Sequence, residues 1–254
     1  MTARESITMG ATRRVSRFAF ATAFAGGLAA CGSSGGSTNT VTQTGRVVEY
    51  EVCGTATTGV AGATVTVGGA TTTTASDGTY ALSVPSGEPF TMQVTKTTDP
   101  SYVPLLEEEN TVHAAYDRGD TQFISTQTAD LLSASLAQYD TTLALITIEL
   151  VKTGTCTDLG GTTIAATPIG TKSITEYPAS CISPVGANAS VTDGIFPAAI
   201  IYDVTPGMQS LTATSPKCTQ IPFPYTDPTT GLTYDGKVET QAGTGISFVR
   251  IFMR

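Results

Sequence analysis

Tryptophan is missing from this chain, and histidine occurs once, as His113. A single imidazole cannot build a zinc site that needs two or three, and it leaves any histidine-dependent catalyst resting on one residue. The lack of Trp weakens a carbohydrate-binding platform. Charge is scarce as well: 13% of the 254 residues are charged, and acidic side chains outnumber basic ones 21 to 13. The resulting net charge of −8 argues against nucleic-acid binding through a basic face. What is abundant is threonine, the commonest residue, together with 26 Gly and 13 Pro. β-Branched and turn-forming residues therefore outnumber strong helix formers, which points to an all-β protein. Once a leader is removed, about 220 residues remain, and two domains are expected from the usual range of domain sizes.

The leader is read from charge and length. Arg13, Arg14 and Arg17 precede an apolar run from Phe18 to Ala30 that carries no charge. This is the layout of a secretory signal, with a basic start, a short apolar stretch and small residues at the cut. The run is 13 residues long, short of the ~20 a helix needs to cross a bilayer, so it is expected to be cleaved. Glu5 is unusual in a basic leader, and Met9 makes a cleaner start of translation. Thr12-Arg13-Arg14-Val15-Ser16 half resembles a twin-arginine signal, but Ser16 stands where that motif prefers Phe, which favours ordinary secretion.

Leu28-Ala29-Ala30-Cys31 followed by Gly32 resembles the lipobox of bacterial lipoproteins. That resemblance implies that the Cys31 thiol is diacylated and becomes the first residue of the mature chain. Two or more acyl chains on one residue hold a protein on a membrane, where one binds only marginally. Position two after Cys31 is Ser33 and not the Asp of the inner-membrane retention signal of enteric lipoproteins. The implied address is the outer membrane or cell surface. Removing a leader with four Arg and one Glu takes the net charge from −8 to −11. Residues 31–44, with the stretch Gly32 to Thr40, read as a flexible tether.

Beyond the tether, apolar and polar residues alternate. Val47, Glu49 and Glu51 interleave with Val48, Tyr50 and Val52, and Ala63, Val65 and Val67 with Thr64 and Thr66. Such period-two runs are half-buried strands. Gly59-Val60-Ala61-Gly62 and Gly68-Gly69 bracket the second run, and Asp77-Gly78 divides the Thr71 to Thr74 run from Tyr80-Ala81-Leu82-Ser83-Val84 as a hairpin turn. Pro85-Ser86-Gly87 then leads into Phe90-Thr91-Met92-Gln93-Val94-Thr95. Asp77 is a turn former in this reading, in preference to a metal or substrate ligand.

The order Gly45-Arg46-Val47, Val60-Ala61-Gly62-Ala63-Thr64-Val65, Ser76-Asp77-Gly78-Thr79-Tyr80 and Val84-Pro85-Ser86-Gly87 resembles a carboxypeptidase regulatory-like module. The resemblance implies a transthyretin-like fold, a seven-stranded antiparallel Greek-key sandwich, and is nearly silent on function. A weaker echo follows about 99 residues later. Asp158-Leu159-Gly160-Gly161-Thr162-Thr163-Ile164 answers Gly59 to Val65, Thr192-Asp193-Gly194-Ile195-Phe196 answers Ser76 to Tyr80, and Val204-Thr205-Pro206-Gly207 answers Val84 to Gly87. The second copy carries an insertion holding Tyr177, Cys181 and the Pro184-Val185-Gly186 turn.

The predicted architecture is accordingly all-β, with two tandem seven-stranded Greek-key (transthyretin-like or Ig-like) sandwiches joined by a short helix. The boundaries are signal peptide 1–30, tether 31–44, first sandwich 45–124, helical connector 125–142 and second sandwich 143–254. In the connector, Ala129, Leu132, Leu136 and Tyr139 recur at helical spacing, with Ser125 or Thr126 as cap. Leu143 to Val151 opens the second sandwich, and the apolar run Ile246 to Phe252 closes it.

Setting Cys31 aside, Cys53, Cys156, Cys181 and Cys218 remain, an even number in an exported chain, which argues for two disulfides with three connectivities. In such a sandwich, loops after the first, third and fifth strands share one pole. That favours Cys156 with Cys218, leaving Cys53 with Cys181 as a bond between the modules. Metal ligation by these cysteines lacks both a Cys-x-x-Cys spacing and a neighbouring histidine.

Catalytic groups are sparse. Outside the Gly/Ser tether, which holds Gly32-Ser33-Ser34-Gly35-Gly36, no Gly-x-Ser-x-Gly occurs, and His113, beside Ala114, Ala115 and Tyr116, reads as an ordinary strand residue. Glu107-Glu108-Glu109 offers oxygens for Ca²⁺, but a run on one loop aims in different directions and reads as a solvated acidic loop. The preferred reading is a cell-envelope lipoprotein held on the membrane by Cys31, with non-catalytic sandwich modules for a protein or glycan partner and no cofactor or metal. Tyr177, Tyr202, Phe223, Tyr225 and Tyr234 are candidates for its contact face, though each is also an ordinary half-buried sandwich residue. The other class left open is an accessory or hydrolytic envelope enzyme acting on carbohydrate or peptide, which asks for a cleft gathering carboxylates.

Overall fold

The computed structural model describes residues 39–50, 57–128, 139–140, 142–168, 170, 172–180, 188–195, 198–243 and 245–254, and their architecture is nearly all β. The first half contains β1 (Thr40–Glu49), β2 (Thr64–Val67), β3 (Ala70–Thr73), β4 (Thr79–Pro85), β5 (Pro89–Phe90), β6 (Met92–Thr95), β7 (Leu105–Glu107), β8 (Asn110–Thr111) and β9 (Tyr116–Phe123). Alternation sets their faces. Val65 and Val67 of β2, Tyr80, Leu82 and Val84 of β4, and Met92 and Val94 of β6 are buried, while the residues between them point outward or to the margin.

The second half contains β10 (Ala144–Lys152), β11 (Thr163–Thr167), β12 (Ile174–Glu176), β13 (Ala199–Val204), β14 (Gly207–Thr214), β15 (Tyr225–Thr226), β16 (Thr233–Tyr234), β17 (Lys237–Thr240) and β18 (Ile246–Met253). Its pairing repeats that of the first half. β1 lies between an antiparallel β4 and a parallel β9, and β10 lies between an antiparallel β13 and a parallel β18. The two Asp-Gly turns precede the corresponding strands β4 and β13, as the shifted sequence motifs require.

The halves are not separate bodies, which corrects the expected division at a helical connector. β18 also pairs in parallel with β7, Ile246 opposite Leu105 and Phe248 opposite Glu107. The result is one eight-stranded sheet in the order β12-β13-β10-β18-β7-β6-β2-β3, accompanied by the sheets β4-β1-β9 and β11-β14-β17 and the small sheet β15-β16-β8-β5. The reason lies in β18 itself, which is apolar on both faces. Val249, Ile251 and Met253 enter a core with Ile146, Ile148 and Leu211, whereas Phe252 enters the other core with Val47, Met92 and Phe123. Each such side chain contributes about 1.5 to 3 kcal/mol when fully buried. A strand of this kind is not stable at a solvent-facing edge and takes neighbours on both sides. Leu232 and Tyr234, from the second half, also pack into the core of the first.

Two smaller expectations are revised. Residues 40–44, assigned to the tether, belong to β1: Thr40 pairs with Pro85, and Gln43 turns inward within Thr-Val-Thr-Gln-Thr, a β-branched run with strand alternation. At the connector, Thr126–Thr128 form a helical turn capped by Ser125, whose Oγ accepts from the Thr128 N–H at 3.2 Å. Residues 129–138 of the expected helix lie outside the described residues. The end of the connector is tied down twice: the Asp140 N–H donates to Asp203 Oδ1 at 2.8 Å, and Tyr139 OH donates to the Gly243 carbonyl at 3.0 Å.

Cys156, after β10, and Cys218, after β14, form the expected disulfide, closing a separation of 62 residues. In the chain-entropy treatment a loop of this length confers about 4 kcal/mol. The double replacement Cys156→Ala, Cys218→Ala is therefore expected to lower urea-unfolding stability by about that amount. A loss below about 1 kcal/mol would show that the unfolded chain is already constrained there. Cys31, Cys53 and Cys181 lie outside the described residues, and with them the lipidation and the second predicted disulfide.

Candidate functional site

The densest gathering of ionisable side chains is buried at the seam where β18 meets β7. β7 ends in Glu107, Glu108 follows it, and their side chains are 2% and 1% exposed. The expected solvated acidic loop is thus corrected for these two residues, while Glu109 remains half-buried at the margin. Leu105 and Leu106 pull the segment into the sheet, and the glutamates that follow cannot leave it.

Burying carboxylates this deeply is costly unless cations meet them. Arg118 of β9, with its side chain 2% exposed, makes an ion pair with Glu107 Oε2. Arg250, in the middle of β18, reaches three carboxylates. Its Nη1 donates to Glu108 Oε1 at 3.0 Å and lies 3.7 Å from Glu107 Oε2, while its Nε lies 3.4 Å from Glu149 Oε2 on β10. One guanidinium thereby bolts β18 to the strand on either side of it. The Arg250 side chain also crosses the Phe248 ring, 4.8 Å from the centroid. At the margin, Lys237 Nζ stands 3.8 Å from Glu109 Oε1.

The interior electrostatics follow from this arrangement. Burial pushes the Glu108 carboxyl above its usual range despite the nearby Arg250. Burial, reinforced by the positive charge of Arg250, lowers Arg118 to about 10, which leaves it cationic at neutral pH. For Arg250 burial acts downward, but Glu108, Tyr234 and Glu149 outweigh it and raise its value. Around the arginines lies a ring of buried polar groups. Gln43 Nε2 donates to Tyr80 OH at 3.0 Å, and Asn110 Nδ2 donates to the Glu108 carbonyl at 2.6 Å.

The other sequence candidates are placed as follows. Tyr177, Tyr202 and Tyr234 are buried, and Phe223 and Tyr225 are half-buried against the first core, so the five do not assemble into an exposed aromatic face. Tyr177 plays a structural part, since its hydroxyl accepts from the Ile164 N–H at 2.8 Å and so ties the insertion to β11. Tyr234 stacks at a tilt 4.7 Å from Phe252. His113 sits exposed in a bend between β8 and β9 and not on a strand, because β9 starts only at Tyr116. Asp77 is the turn former expected, its Oδ1 accepting from the Thr79 N–H at 3.1 Å and from the Thr79 hydroxyl at 2.7 Å.

A cleft of about 480 Å³ at the end of β1 is lined by Glu49, Asp99, Tyr102, Thr126 and Gln127 among others. Both faces of its aromatic ring are occupied. Phe123 stacks 4.9 Å from Tyr102 on one side, and Lys96 Nζ, itself 3.3 Å from Asp99 Oδ2, lies 4.7 Å from the ring centroid.

Sequence reasoning missed the seam because its partners are far apart, with Glu108 and Arg250 separated by 142 positions. A usable signal was nevertheless present. Arg250 is the only charge in the apolar run Ile246 to Met253, and a charge inside a strand buried on both faces demands a buried counter-ion.

No family model and no curated protein matches the chain. Among solved structures it is similar to the Bacillus anthracis TIE protein, at 11% identity and a TM-score of 0.25 over 84% of this chain and 34% of that one. It is also similar to GBS52, the minor pilin of Streptococcus agalactiae, at 9% identity and a TM-score of 0.21 over 84% of this chain and 95% of that one. The chain spans about a third of the length of the first and nearly the whole of the second.

Proposed function

We propose that this chain is a lipid-anchored, non-catalytic protein of the cell envelope, held on the outer membrane or cell surface through Cys31. In this reading two copies of a carboxypeptidase regulatory-like sandwich form one stiff body that offers its surface to a protein or glycan partner. The observation that carries it is the order of the chain: a basic and apolar leader, the lipobox-like Leu28 to Gly32, a Gly/Ser stretch and then β1. Eight residues separate Cys31 from Thr40, a reach of at most about 30 Å at full extension. The body is thus kept close to the lipid surface, within the span of neighbouring envelope proteins.

The seam supports a structural role for the gathered carboxylates. Hydrolysis on the two-carboxylate pattern needs side chains that reach substrate. Glu107 and Glu108 are closed in and turned toward Arg118 and Arg250. On the surface, Lys152, Lys172 and Lys217 each lie within ion-pair distance of an aspartate, at 2.8, 4.0 and 2.5 Å.

The test is metabolic labelling of the full chain with an alkyne fatty acid in a Gram-negative host, comparing wild type with Cys31→Ser. Label on the membrane-bound wild type and none on the variant, which should leave the membrane fraction, is the expected result. An unlabelled wild-type chain would remove the anchor and the address with it.

A further inference from the structure

Charge counting at the seam leaves one negative charge too many. Glu107 and Glu108 beside β7 and Glu149 on β10 face Arg118 on β9 and Arg250 on β18. The other neighbours do not redress this. Tyr116 of β9 and Tyr234 of β16 are buried and uncharged, Asn110 of β8 is neutral, and Lys237 of β17 is matched by Glu109. Three buried or half-buried carboxylates against two guanidiniums is a poor arrangement in a medium of low polarity.

The hydrogen bonds show where the balance is restored. Glu108 Oε1 accepts from Arg250, but its other oxygen, Oε2, is buried and meets no donor among the described residues. Asn110 Oδ1, two residues on, is likewise a buried acceptor without a donor among the described residues, while the amide nitrogen of that side chain donates to the Glu108 carbonyl. Two buried acceptors without a donor are costly. A proton on Oε2 converts one of them into a donor and cancels the surplus charge in the same step.

We propose that Glu108 is a proton-binding site that controls the seam: protonated, it locks β18 against β7, and deprotonated, it loosens that contact while the rest of the fold holds. The transition is acid–base only, Oε2–H releasing its proton to solvent and leaving a carboxylate with an unmatched charge. The chain thereby senses rising pH at the junction of its two halves, far from Cys31 in sequence.

The sign of the pH dependence is the reverse of that of an ordinary surface carboxylate. Burial raises the folded-state value above the usual 4.5, so the folded chain holds its proton where the unfolded chain has lost it. Stability is fully present below that ordinary value and is lost as pH rises through the raised one, by up to tenfold in the folding constant per pH unit.

The experiment follows the full chain from acid into mild alkali by thermal unfolding, in wild type and in Glu108→Gln. Gln keeps an oxygen for Arg250 and supplies an N–H in place of the proton. The wild-type melting temperature is expected to fall with pH beyond the ordinary carboxylate range, and the variant is expected to lose that component. Infrared spectroscopy with ¹³C-labelled glutamate should show, above the ordinary carboxylate range, a protonated carboxyl in wild type that is gone in the variant. Equal pH slopes in the two chains, or the same carboxyl signal in both, would overturn the proposal. Should the variant not fold, amide exchange of the wild type still decides. Corrected for intrinsic rates, β18 amides at Ser247 and Phe248 should lose protection on alkalinisation while those of β1 do not, and uniform or unchanged protection would overturn it.

Discussion

Replacing Arg250 by Met is expected to remove about 3 to 5 kcal/mol of stability in mildly alkaline buffer, a large part of the 5 to 15 kcal/mol typical of a domain. Met keeps an apolar stem but removes the guanidinium, whose carbon lies 4.8 Å from the Phe248 ring centroid, so the loss combines the ion pairs with that cation–π contact. What remains is Glu108 at 1% exposure with no cation in contact, while Glu107 retains Arg118. The deficit should depend on pH in a defined direction. Without the guanidinium the Glu108 carboxyl rises further from its usual value, so the variant is weakest where that group must ionise and recovers as acid protonates it. Urea midpoints at several pH values measure this. A deficit that is constant with pH, or that grows in acid, would mean that Arg250 acts through its contact with Glu149 alone.

A second large effect is expected at the turn before β4, where Gly78→Ala should cost more than about 4 kcal/mol, the range reserved for a broken backbone contact. A Cβ at this position would lie 2.3 Å from the Val47 carbonyl oxygen and 2.9 Å from Gly59 Cα, on a backbone with φ of +83°. The left-handed conformation alone costs a side chain roughly 1 to 2 kcal/mol. The remainder comes from forcing apart a knot of short hydrogen bonds: Val47 N–H to the Gly78 carbonyl and Val60 N–H to the Val47 carbonyl, each 2.9 Å. Gly62→Ala isolates the first contribution, since its φ is +70° and nothing lies within 4 Å of the added carbon. It should cost about 1 kcal/mol. Equal losses in the two variants would show that the crossing of β1 and the turn can yield.

These two sites differ in how far they could be read in advance. Asp77-Gly78 is a local signal: the turn needs a positive φ and a short acceptor side chain, and both are adjacent in the chain. The same holds for Val65 and Val67 and for Tyr80, Leu82 and Val84, whose alternation is read along single strands. Arg250 and Glu108 carry no local signal that names their partner, and a run of three glutamates reads as solvent-exposed until a strand from the far end of the chain is laid beside it. The aromatic candidates misled for a related reason. Tyr177, Tyr202 and Tyr234 are amphipathic residues that suit an exposed interface or a buried strand equally well, and only the second cover, supplied by a neighbouring sheet, buries them.

Composition and period-two alternation by themselves determined that this chain is built of strands, where most of its turns fall, and that one order of motifs occurs twice. Those properties act between residues that are close in sequence, where sterics and the burial of one face suffice. Only the tertiary structure decided that the repeats share a sheet, because β18 is apolar on both faces and can be satisfied only by contacts from both halves. The same long-range pairing turned two glutamates inward and provided the arginines that make their burial tolerable, since electrostatic partners are chosen by distance in space and not along the chain.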